Sequence, residues 1–82
     1  MAQSWVKVVR DDGGGLGDEI FIDENYQDAG GFIGTAFETD TGKHTFETLD
    51  AAGSPAWSAD QVIGRPSGNS EQHPVVVTLT PV

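Results

Sequence analysis

Apolar positions in this chain recur at period two or in short runs, and Gly, Pro, Thr and Asp interrupt them too often for a long helix. The segment Trp5-Val6-Lys7-Val8-Val9-Arg10 is rich in β-branched residues and predicts a first strand. It runs into Asp11-Asp12-Gly13-Gly14-Gly15, a loop by composition. Glu19-Ile20-Phe21-Ile22 predicts a second strand with Ile20 and Ile22 on one face. An acidic connection follows, Asp23 to Gly31. Two Thr- and Phe-rich runs, Phe32 to Thr39 and Lys43 to Leu49, then flank Asp40-Thr41-Gly42, and their spacing predicts a β-hairpin. Ala56-Trp57-Ser58 reads as a short strand. Ser58 reads as the cap of one 3₁₀ turn reaching Ile63, because Gly64 and Pro66 leave no room to extend it. Arg65 to Gln72 reads as a polar linker, and Val75 to Thr80 as a closing strand with Val75, Val77 and Leu79 on one face.

Five to six short strands with one 3₁₀ turn close best as a small antiparallel barrel, since closure removes exposed edges. The expected architecture is all-β, with residues 1–82 as a single domain. At this length about 60 % of the unfolded surface is buried, so each large side chain matters.

Charge narrows the partners. The 82 residues carry 13 Asp or Glu against 4 Lys or Arg, a formal charge of −9, and no Cys. Binding a nucleic-acid backbone requires several cations to displace counterions, and only Lys7, Arg10, Lys43 and Arg65 are present. Anionic membranes are disfavoured for the same reason. The apolar runs are too short to span a bilayer and the N-terminus lacks a basic-then-apolar signal, so a cytoplasmic protein is expected. A basic partner, a divalent cation or no charged partner remain open.

Nucleophilic catalysis is poorly supplied. His44 reads as a cross-strand surface residue and His73 sits beside a Pro; neither Ser54 nor Ser58 carries a triad signature. Calcium is the better chemical idea, because seven acids lie between Asp11 and Asp28 in Gly-containing loops, with Asp18, Glu19 and Asp23 as candidate ligands. Gly14 to Phe21 nearly reads as a calcium-binding β-helix repeat, but Glu19 stands where the repeat needs Asp and one copy builds no stacked site. The simpler reading is a solvated acidic loop, and no cofactor is expected. The Gly13–Gly17 loop leads into a strand between acids and is not a phosphate cradle.

From Leu16 to Ile63 the order of signals resembles an SH3-like small barrel. Gly17-Asp18 opens the first strand, a long loop follows, Gly34 initiates a hairpin through Leu49, and Trp57 to Ile63 supplies an aromatic strand and a 3₁₀ turn. The resemblance is to an architecture, with strands 5–10 and 75–80 extending or closing the sheet, and architecture does not carry function. Peptide-binding SH3 domains have a Tyr-rich opening motif, whereas this chain has a single Tyr. If Tyr26 and Trp57 met the acids Asp23, Glu24 and Asp28, they would resemble an aromatic groove that docks polyproline ligands with a basic anchor. The simpler reading puts Trp57 in the core.

Val75 to Thr80 carries apolar residues on both faces, so Val76 is a candidate contact with a partner or a second copy. A central strand covered on both sides would show the same pattern. The leading expectation is a non-enzymatic acidic interaction module with a basic or proline-rich protein partner. Its rivals are a structural subunit of a phage or multi-protein assembly, and an acidic nucleic-acid mimic.

Overall fold

The computed structural model describes residues 2–82. Seven strands run in chain order: β1 (Gln3–Arg10), β2 (Glu19–Ile22), β3 (Gly31–Phe32), β4 (Phe37–Asp40), β5 (Gly42–Leu49), β6 (Pro55–Ile63) and β7 (Val75–Pro81). They form one sheet in the order β3-β2-β5-β6-β7-β1-β4 that curls into a nearly closed barrel, an architecture consistent with SH3-like barrels. No helix occurs among the described residues, and none is long and apolar enough to cross a membrane.

The pairing is mixed rather than antiparallel throughout. β1 and β7 run parallel, from Val6↔Val75 to Arg10↔Leu79. The reason is the connection after β6, which returns the chain to the end of the barrel where β1 starts, so β7 follows β1 in the same direction. This connection is not a free linker. Asn69 Oδ1 accepts the Trp5 N–H at 2.8 Å and Asn69 Nδ2 donates to the Trp5 carbonyl at 3.0 Å. A side-chain amide thus occupies the ladder position just before Val6↔Val75. Arg65 Nη1 donates to the Gln3 carbonyl at 2.8 Å. Asn69→Ala strands both Trp5 backbone groups and is expected to cost about 1–3 kcal/mol. Thermal melts would read it at about 4–8 °C per kcal/mol, and hydrogen exchange would quicken at Trp5.

The expected hairpin across Asp40-Thr41-Gly42 does not form. β4 pairs with β1 and β5 pairs with β2 and β6. Thr41 alone separates the strands, too short a link for a two-residue hairpin turn. Gly42, at φ 120°, redirects the chain while the Thr41 N–H continues toward β1 by donating to the Ala2 carbonyl. The real hairpin is β5–β6. Its turn is built by Asp50, whose Oδ1 accepts the N–H groups of Ala52 and Ser54.

The expected 3₁₀ turn is also absent. Residues 58–63 continue β6, paired from Ser58↔Glu47 to Ile63↔Gly42. Period two prevailed over the capping signal, since Ile63 is buried while Asp60 and Val62 face solvent. The core comprises Val6, Val8, Ile20, Ile33, Phe46, Ile63, Val77 and Leu79. Phe37 closes the gap between the two ends of the sheet order. A Cβ on Gly31 would lie 2.5 Å from Phe37 Cδ1, so only glycine admits that ring.

Candidate functional site

Strand alternation decides which aromatics face outward. Ile20 is buried and Ile22 packs on the core, so Glu19 and Phe21 project from the opposite face of β2. Phe32 pairs with Glu19 across β3 and is 48 % exposed. It is therefore a diagonal neighbour of Phe21 on the outer face. Tyr26 folds back from the β2–β3 connection, its ring edge-to-face with Phe21 at 6.0 Å. Its hydroxyl donates to Glu47 Oε1 at 2.7 Å, which buries Glu47 while leaving Tyr26 42 % exposed. The Glu47 hydrogen bond, reinforced by burial and by the charges of Glu47 and Glu24, pushes the Tyr26 phenol up to about 12.

Asp28 is exposed in the β2–β3 connection, and the exposed Glu19 and Glu24 stand beside Phe32 and Tyr26 on this outer face. Beside it lies a shallow groove of about 370 Å³ whose wall includes Asp18, Glu19, Phe21 and Asp50. Among the described residues no three His, Asp or Glu side chains converge as a metal ligand set would. Of the candidate calcium ligands, Asp18 and Glu19 border the groove. Asp23 is engaged elsewhere, accepting from His44 Nδ1 at 2.6 Å and from the Thr45 N–H at 3.0 Å.

Tyr26 and Trp57 do not share a groove. Trp57 pairs with Thr48, one position from the Glu47↔Ser58 pair that marks the Tyr26 side of the sheet. Its side chain consequently faces the interior and packs on the core. Arg10 covers its exposed part with the guanidinium 4.0 Å from the ring centroid. The same guanidinium pairs with Asp12 at 2.6 Å. That bond, together with the Gly14 N–H, holds the Asp12 carboxyl below its ordinary range. The acidic stretch from Asp11 to Asp28 therefore does have compensating cations, Arg10 at one end and His44 at the other. Val76 stands on the outer face of β7, 54 % exposed and paired with Lys7, far along the sheet from Tyr26.

His44 is no free surface residue. Its side chain is only 13 % exposed, with Nδ1 on the Asp23 carboxylate and Nε2 on the Asp40 carbonyl at 2.7 Å. Both partners only accept, so both ring nitrogens must donate and the imidazolium is favoured. Burial alone would lower its pKa, but the Asp23 and Asp40 hydrogen bonds and charges outweigh that and raise it. For Asp23, burial pushes upward, and the His44 and Thr45 hydrogen bonds with the His44 charge overcome it to give a net lowering. The bonds fix the Asp23-Glu24 turn, where both residues hold positive φ (54° and 61°), a costly conformation for side-chain-bearing residues.

Phe21 and Phe32 were not anticipated as site residues. The signal for Phe21 was present: if Ile20 and Ile22 point in, the phenylalanine between them points out. For Phe32 no local signal existed, because its orientation follows from pairing with Glu19. Comparison with protein-family models, curated proteins and solved structures finds no match to this chain.

Proposed function

We propose that this chain is a non-enzymatic interaction module that binds a basic or proline-rich protein segment. The observation that carries the reading is the outward Phe21–Tyr26–Phe32 face with the exposed Glu19 and Glu24 beside it. Aromatic platforms give extended, proline-containing segments flat surfaces to pack on, and a carboxylate rim orients a basic anchor. An overall charge of −9 speeds encounter with a cationic partner. This differs from the SH3 mode in its residues, because Trp57 lies beneath Arg10 and is not available to a ligand.

The test is titration of a peptide alternating basic residues and prolines, at low and moderate salt. Binding is expected to weaken as ionic strength rises and to fall about five-fold or more in Phe32→Ser, which removes an exposed ring without touching the core. Equal binding by wild type and variant would reject the face. A structural-subunit reading draws on the exposure of Val76 and Val62 and on β4 as a sheet end. Light scattering on the same samples addresses it, since a concentration-independent mass of one chain excludes self-assembly.

A further inference from the structure

We infer that the Phe21–Tyr26–Phe32 face takes arginine side chains of its partner in preference to lysine, an inference that rests on the interaction-module reading. The molecule already contains the same chemistry with its cation in place. At Trp57, an aromatic ring and the Asp12 carboxylate hold Arg10, by stacking at 4.0 Å and by hydrogen bonds from Nε at 3.1 Å and Nη2 at 2.6 Å. The outer face presents aromatic rings and carboxylates that no ion pair among the described residues neutralises. Glu19, Glu24 and Asp28 form no ion pair among the described residues, where the pairs are Arg10–Asp12 and His44–Asp23.

Three features favour a guanidinium over an ammonium. First, the carboxylates are dispersed, from Asp18 and Glu19 by the groove to Glu24 beside Tyr26, and do not converge on one point. A planar cation with five donors spans such a spread, whereas a compact ammonium gains most from one tight cage. Second, the donors on this face are flat rings, on which the weakly hydrated guanidinium stacks with little loss of solvation. Third, Tyr26 donates its hydroxyl proton to the Glu47 carboxylate, which pushes electron density into the ring and strengthens its attraction for a cation. Phe21 continues directly into the groove beside Asp18, Glu19 and Asp50, so a side chain stacked on the rings reaches carboxylates at its far end.

The experiment compares three peptides of identical length on the intact chain, with arginine, lysine or citrulline at the same positions, by calorimetry and by backbone amide shifts. Arginine is expected to bind at least about five-fold more tightly than lysine, and citrulline, which keeps the plane but loses the charge, to bind weakest. The largest amide shifts are expected at residues 19–32. Tyr26→Ala and Glu19→Gln should each erase most of the arginine preference, and Glu19, being exposed and outside the core, provides a variant that retains the fold. Equal, salt-sensitive binding of arginine and lysine peptides would overturn the arginine preference while leaving the basic-partner reading intact. Absence of binding by either would overturn both. An arginine preference that survives in both variants would place it elsewhere on the molecule.

Discussion

Phe46→Ala is expected to remove about 3–5 kcal/mol of stability, a large share of what a chain of this length has. Marginal stabilities of about 0.05–0.15 kcal/mol per residue give roughly 4–12 kcal/mol here. Phe46 is fully buried on β5, directly opposite Ile22 on β2 and Ala59 on β6. Its ring is the largest side chain in the core, and its neighbours belong to strands held by ladders on both sides. Such strands cannot slide inward to fill the space, so the cavity term adds to the lost burial. A urea titration followed by circular dichroism should show a midpoint far below that of wild type, or no cooperative transition. Phe46→Leu, which keeps most of the volume, should fold with a lowered midpoint. A Phe46→Ala protein melting within a few degrees of wild type would mean that the barrel interior collapses far more freely than its pairing implies.

Stability is expected to fall as pH rises from about 6.5, through the loss of the His44 imidazolium. The raised His44 pKa means that the folded state binds the proton more tightly than the unfolded chain does. Its contribution is therefore complete below the unfolded value of about 6.5 and disappears as pH climbs through the folded value. Asp23 acts in the opposite direction. Its folded pKa is lowered, so its contribution is complete above its ordinary value of 3.8 and disappears as pH falls through the folded value. The pair thus supports the β2–β3 turn best between about pH 4 and pH 6.5. Many carboxylates titrate on the acid side, which makes the alkaline limb the informative one. His44→Gln is expected to cost about 1–3 kcal/mol near pH 5.5, where it loses a charge-assisted bond. The difference from wild type should shrink above neutrality. A variant whose deficit stays constant across this range would show that His44 acts by packing on Phe46, its edge-to-face neighbour at 6.1 Å, and not by its charge.

The pH effect also reaches the proposed binding face. Asp23 and Glu24 lead directly to Tyr26, and the Asn25 N–H closes the turn by donating to the Ile22 carbonyl at 3.1 Å. Loss of the His44 tether loosens the segment that lays Tyr26 over Glu47. Peptide affinity should accordingly decline over the same alkaline range as stability.

Local pattern carried the strands whose side chains alternate or whose residues are β-branched: β1, β2, the Thr- and Phe-rich β5, and β7. It also carried the absence of long helices and the inward direction of Ile20, Val77 and Leu79. These features depend on neighbours one or two positions away, which any window of sequence contains. The Asp40-Thr41-Gly42 segment resembled a hairpin because two compatible strands flank a glycine. A turn motif does not state whether the strands it joins will pair, and here β1 and β6 offered longer partners. Ser58 to Ile63 resembled a capped turn for a similar reason, its polar residues being read without the Gly42 to Glu47 backbone that pairs with them.

By itself the sequence determined an all-β chain of short strands, a strongly acidic composition and a limited supply of apolar side chains on alternating positions. Composition and periodicity are properties of the chain, and they settle how much can be buried and in what local form. The tertiary structure alone decided the parallel meeting of β1 and β7, the docking of Asn69 on Trp5, the tether from Asp23 to His44, and the outward placing of Phe32 opposite Glu19. Each of these joins residues far apart in the chain. Their energies come from closing the barrel and satisfying backbone groups at its seams, a requirement that arises only when the ends of the sheet are brought together.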